Sequence, residues 1–263
     1  LYDGLYHPPG TRAFRPLSSD RVTPEHRRAM ARIPAFFTIS TQGGTPASAL
    51  RAMTRVEEVV AFLDRYQSPP FPGTVNEALG ARGAKLYNQE CASCHGAFAE
   101  VAGRQQLVEF PNRLVPVDDI GTDPGRLESV TPELVTAVNS SAMADYLHAE
   151  PRSGYVAPPL TGLWLTAPYL HNGSVPTLWH LMNPRARPRR FEVGGHRLDF
   201  ARVGIAGEVD GGVYRFAPGY RPVSAPAVFD TSEPGRSNVG HERPFDALDD
   251  AQKRALLEYL KRL

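Results

Sequence analysis

Two cysteines and a histidine stand together in Cys91-Ala92-Ser93-Cys94-His95, and the chain has no other cysteine. Two thiols at this spacing lie on one side of a single helical turn, within reach of the two vinyl groups of one porphyrin, and the adjacent imidazole falls beneath the iron. The expected chemistry is covalent attachment of one haem c through Cys91 and Cys94, with His95 as proximal ligand. Two blander readings of the pair have less in their favour. A structural zinc site needs four Cys or His ligands, and the sequence holds no second pair at ligand spacing. A thioredoxin-type redox pair follows a strand in a βαβ unit, whereas a helical pattern precedes this one. Covalent haem implies assembly outside the cytoplasm, so the expected location is periplasmic or secreted.

The motif must be held by its neighbours in the chain. Residues 76–90 read as a helix running directly into Cys91, with Leu79, Gly83, Leu86 and Tyr87 on one face. Residues 249–263 form a closing helix in which Asp249 caps with Gln252, and Ala255, Leu256, Tyr259, Leu260 and Leu263 make one apolar stripe. The two faces suit each other, because Gly83 permits close approach. Thr131-Pro132-Glu133 starts another helix, expected to reach about His148. Between residues 49 and 66, Met53, Val56, Val59, Val60 and Leu63 recur at helical spacing, and the proline-rich run at 68–73 then breaks the chain. Residues 1–50 are expected to be mostly irregular, with one short helix at Thr23 and Pro24. Asp210-Gly211-Gly212 between short apolar segments predicts a hairpin, with little sheet elsewhere.

These elements predict a mainly α, class I-like cytochrome c domain over residues 74–263, with long Pro/Gly-rich loops and a small β-hairpin. A helical and irregular extension over residues 1–73 is expected to pack on that domain or on a partner. The 25 prolines and 23 glycines imply long ordered loops, which a rigid cofactor would organise. Basic and acidic residues nearly balance, 29 against 28, so nothing electrostatic favours nucleic acid. No run approaches the roughly 18 apolar residues of a membrane span. The start at Leu1, without a basic and apolar leader, suggests a processed protein or a piece of a longer one.

The segment Pro158-Pro159-Leu160-Thr161-Gly162-Leu163-Trp164-Leu165-Thr166-Ala167-Pro168-Tyr169-Leu170-His171-Asn172-Gly173-Ser174-Val175-Pro176-Thr177-Leu178 resembles the stretch that lies over the C-terminal haem in the di-haem cytochrome c peroxidase superfamily. Phe229-Asp230-Thr231 and Ser237-Asn238-Val239-Gly240-His241 are more similar to the secreted rubber-oxygenase branch. The resemblance covers roughly residues 80–263. It implies a haem pocket that includes Trp164, Tyr169 and His171, although ordinary core packing explains the two aromatic residues equally well. Members usually carry two haem-attachment motifs, and this chain has only the one matching the second domain. The implied role is therefore electron transfer by one haem, as a module or subunit of a peroxidase-like or oxygenase-like system. Its partner would be a redox protein or a second haem-bearing chain. The alternative is an enzyme that activates peroxide or dioxygen at an open distal site.

His241, Met182 and His171 compete for the distal side of the iron. His241 leads, because it follows the Asn238-Val239-Gly240 turn and precedes the closing helix, and because it matches the segment that supplies a ligand in the rubber-oxygenase branch. Met182 lies near the place of the axial methionine in the peroxidase branch, but its helix can equally bury it. His7, His26, His148 and His196 are expected to be solvated or locally bonded. The basic run 185–190 reads as a solvated loop, or as a partner for haem propionates or an acidic protein.

Overall fold

The computed structural model describes residues 34–35, 39, 42–63, 66–111, 113–142, 144 and 148–263. The short helix expected at Thr23 and Pro24 lies outside them, as do His7 and His26. In chain order, helix α1 spans Pro46–Leu63, α2 Glu77–Glu90 and the single turn α3 Ala92–His95. Strands β1 (Ala97–Val101) and β2 (Arg104–Glu109) form a hairpin, and β3 (Leu114–Pro116) precedes α4 (Val117–Ile120), α5 (Gly125–Glu128) and α6 (Pro132–Asn139). Then come β4 (Gly154–Val156), α7 (Leu178–Met182) and strands β5 (Arg190–Val193), β6 (Leu198–Asp199), β7 (Gly204–Ile205), β8 (Glu208–Asp210), β9 (Val213–Arg215) and β10 (Ala227–Asp230). Helix α8, Asp250–Leu260, follows. No helix among the described residues is long and apolar enough to cross a membrane.

The helical frame follows from local chemistry. The side chain of Asn76 accepts from the Leu79 amide to cap α2, and the Asp249–Gln252 box caps α8, each satisfying backbone donors that a helix start leaves open. The two helices cross with backbone nearly touching backbone: a Cβ placed at Gly83 would lie 2.0 Å from the Ala255 carbonyl oxygen. Glycine is the one residue that permits this approach. Around the crossing, Tyr87, Leu256, Tyr259 and Leu260 join the main core with Trp164, Tyr169, Leu178 and Met182. Each such burial is worth about 1.5–3 kcal/mol for an aliphatic or aromatic side chain.

The expectation of a mainly α, class I-like domain is overturned, because the architecture mixes helices with several sheets. The hairpin forms at Asp210-Gly211-Gly212 as β8 and β9, but it is the edge of a four-stranded mixed sheet ordered β10-β5-β9-β8. In this sheet β10 pairs antiparallel with β5, and β5 pairs parallel with β9. A second small core lies on it, where Phe191 stacks on Phe229 with centroids 5.1 Å apart and the Tyr214 hydroxyl donates to the Ile205 carbonyl. Further two-stranded sheets join β1 with β2, β3 with β4 and β6 with β7. All of these strands are two to six residues long. Segments so short present no period to read, and β3 with β4 and β5 with β9 and β10 pair across long separations in sequence.

Helix α6 starts at its Thr131 cap as expected but stops at Asn139, well short of His148. The Ser140 and Ser141 hydroxyls donate to the Thr136 and Val138 carbonyls, and the Ser141 amide turns to Val138 rather than to the Ala137 carbonyl that a continuing helix would use. Asn139 then bonds both the amide and the carbonyl of Ala149, folding the chain back. Helix α1 leaves Val59, Phe62 and Leu63 more than half exposed. The proline-rich run after it lies against the core: Phe71 meets Trp164 edge-on at 5.8 Å, and the Trp164 indole donates to the Pro69 carbonyl.

Candidate haem site

The attachment motif is one helical turn grown from the end of α2. The Cys91 amide donates to the Tyr87 carbonyl, and the Cys94 and His95 amides donate to the Cys91 carbonyl. Tyr87, itself fully buried, donates its hydroxyl to the Gly96 carbonyl and so pins the residue that follows His95. Both thiols are free and half-buried on this turn. Burial, then the Glu90 carboxylate and Cys94, push the Cys91 thiol up to about 12. That is the reverse of the electropositive setting that activates a redox cysteine.

His95 is oriented by a carbonyl. Its Nδ1 lies 2.8 Å from the Pro158 oxygen, which can only accept, so Nδ1 carries the hydrogen and Nε2 keeps its lone pair. Burial lowers the His95 pKa, partly offset by this bond. His241 arrives by a different route. Its amide donates to the Ile120 carbonyl at 2.7 Å, and it sits at φ 51° directly after Gly240 at φ 83°. Gly240 passes so close to the α4 terminus that a Cβ there would lie 2.3 Å from the Gly121 carbonyl carbon. Burial, then the neighbouring His95, lower the His241 pKa to about 4. Both imidazoles are neutral near pH 7, the form that can give a lone pair to a metal.

The fold brings these two rings together, with centroids 5.9 Å apart and planes inclined by 33°. Two imidazoles that each place a nitrogen about 2 Å from one metal ion have centroids roughly 6 Å apart. The donor set thus fits a haem carrying two axial histidines. His241 Nδ1 is buried without a hydrogen-bond partner, and Phe245 stacks on the ring at 5.5 Å. The other expected pocket residues fall nearby or in the core. His171 stacks on Tyr155 with centroids 4.4 Å apart, on the same stretch as Pro158. Tyr169 is 5% exposed, with its hydroxyl donating to the Leu163 carbonyl, and Trp164 faces Phe71. Met182 is 1% exposed and belongs to the main core. His148 and His196 are exposed, as expected.

Several positioning groups were not singled out from the sequence. Asp123 accepts from the Ser237 amide, and Asn172 donates to the Gly235 and Ser237 carbonyls, so both fasten the segment that leads to His241. Tyr155 donates to the Asp123 carbonyl beneath His171. Arg187, read as one member of a basic loop, is half-buried and bonded to four carbonyls. Nothing in the local sequence marks their role at the site, because the bonds that fasten the 235–240 segment join residues distant along the chain.

Residues 154–192, from β4 through α7 into β5, match the family model described as RoxA-like, cytochrome c-like. The chain is 29% identical over 248 residues to the uncharacterized protein y4iM of Sinorhizobium fredii, covering 77% of this chain and 52% of that protein. It is 27% identical over 250 residues to y4iJ of the same organism, covering 73% of this chain and 40% of that one. The chain thus spans about half the length, or less, of these curated relatives. The matched segment includes Pro158, which orients His95, and His171, and it supports a c-type cytochrome role with haem c as the cofactor.

Proposed function

We propose that this chain is an electron-transferring cytochrome module that holds one haem covalently through Cys91 and Cys94, with His95 and His241 as its two axial ligands. The carrying observation is the 5.9 Å separation of the His95 and His241 rings, which come from opposite ends of the described cytochrome region. Bound in this way, haem iron supplies a one-electron couple, and the chain's own residues set its surroundings. Pro158 keeps the His95 tautomer, Phe245 backs His241, and the Cys91 turn fixes the attachment side. Two strong ligands make the module a carrier rather than a centre that activates peroxide or dioxygen.

We also propose a redox partner protein or a second haem-bearing segment, in keeping with relatives about twice as long as the matched region. A periplasmic or secreted location is proposed from the chemistry of haem attachment. Residues 1–73 are proposed as an extension docked on the haem domain at residues 74–263, in part through Phe71. The experiment is a set of ferric and ferrous absorption spectra, with and without carbon monoxide, on the protein and on His241→Ala. The intact protein should be low-spin, without a charge-transfer band of thioether ligation, and slow to bind carbon monoxide. His241→Ala should become high-spin and bind carbon monoxide readily. An unchanged low-spin spectrum in the variant would remove His241 from the iron.

A further inference from the structure

Among residues 185–190, Arg185, Arg189 and Arg190 are exposed, but Arg187 turns inward. All four of its hydrogen bonds go to backbone carbonyls. Nε and Nη2 reach His180 at 3.3 Å and Leu181 at 2.9 Å, in the last turn of α7, where the His180 carbonyl also accepts from the Asn183 amide. Nη1 reaches Asn238 at 2.5 Å and Gly240 at 3.0 Å, on the turn that ends in His241. One guanidinium therefore ties the end of α7 to the residue immediately before the candidate ligand.

That turn needs holding. His241 has φ 51°, a left-handed conformation that is strained for a residue with a Cβ. Asp123 and Asn172 act further upstream, at residues 235–237, and Asn238 adds a bond to the Pro188 carbonyl. The Ile120 carbonyl holds only the His241 amide. Arg187 is the side chain that grips the carbonyls flanking Val239 and directly preceding His241.

We infer that Arg187 is a positioning residue: its guanidinium clamps the 238–240 turn to α7 and so holds the His241 imidazole opposite His95. The inference rests on the two-histidine reading proposed above. A lysine cannot reproduce the clamp, since its ammonium is a point donor without the planar fork that serves two segments at once.

The test compares the haem-loaded protein with Arg187→Gln, Arg187→Lys and His241→Ala. The readouts are the ferric spin state, the carbon monoxide association rate of the ferrous form, and the thermal midpoint. Arg187→Gln should show a mixed-spin ferric spectrum and bind carbon monoxide about tenfold faster than the unaltered protein, the effect of losing roughly one net charged hydrogen bond. Arg187→Lys should fall between them. A lowered thermal midpoint with unaltered spin state and carbon monoxide rate would mean that Arg187 only supports the fold, and would overturn the inference while His241→Ala still responds. If His241→Ala itself leaves the spectrum unchanged, the ligand reading falls and takes this inference with it. Should Arg187→Gln not accumulate, Arg187→Lys decides, and behaviour identical to the unaltered protein overturns the clamp.

Discussion

Replacing Gly83 by alanine tests the crossing that carries Cys91. In an ordinary exposed helix this change would stabilise by about 1 kcal/mol, because alanine loses less backbone entropy. Here the new Cβ would lie 2.0 Å from the Ala255 oxygen, 2.6 Å from its carbon and 2.9 Å from the Tyr259 Cβ. Two of the three are backbone atoms that cannot swing away. Restoring an ordinary 3.4 Å contact requires α2 and α8 to part by about 1.4 Å. A gap of even 0.5–1 Å forfeits roughly a quarter to a half of the dispersion energy across an interface. Overpacking of this kind costs about 1–3 kcal/mol, and the backbone contacts place Gly83→Ala at or above the upper end. The net expectation, after the propensity gain, is a loss of about 2 kcal/mol. Gly80, one helical turn earlier, is the internal control. A Cβ there meets nothing closer than the Arg262 side chain at 3.7 Å, so Gly80→Ala should gain up to about 1 kcal/mol. Urea denaturation of the haem-loaded protein, followed by far-ultraviolet circular dichroism, measures both. Equal stabilities for the two variants would refute the close crossing of α2 and α8.

Denaturing acid–acetone extraction should leave the haem with the polypeptide, whose mass should exceed the apoprotein by one haem; Cys91→Ala and Cys94→Ala should each lower the yield of loaded protein, and freely extracted haem would refute the attachment. His180 supplies a pH dependence. Burial, then Arg202, with Arg187 adding and Asp199 opposing, lowers its pKa to about 4, and its Nδ1 lies 2.8 Å from the Thr177 hydroxyl. A folded pKa below the unfolded value near 6.5 means that the unfolded chain takes up the proton first. The contribution is thus complete above pH 6.5, declines as pH falls through the window from 6.5 to 4, and amounts to roughly 1 kcal/mol lost at pH 5.5. Denaturation midpoints across that window should fall in the protein and fall less in His180→Asn, and parallel curves would contradict the assignment.

Much of the scaffold was legible because its causes act within a few residues. The attachment motif, the Thr131 and Asp249 caps and the hairpin at Gly211-Gly212 each depend on residues about one turn apart or less. The early end of α6 escaped notice because serine hydroxyls compete for helix carbonyls without disturbing the apolar pattern. The mixed sheet escaped because β5, β9 and β10 are three or four residues long, too short to show alternation, and pair across long separations. The sequence favours His241 for its place after a glycine turn and for its resemblance to the rubber-oxygenase branch. What brings its ring to 5.9 Å from His95 is visible only in the folded chain. Four things outside its own neighbourhood combine there: the Gly121–Gly240 approach, the Ile120 carbonyl, the Asp123 and Asn172 anchors, and the Arg187 clamp. Local sequence thus determined which residues could ligate a haem and where α2, α6 and α8 begin. Tertiary structure alone decided which two imidazoles face each other, because that choice depends on closing long loops whose partners carry no mark of one another in the sequence.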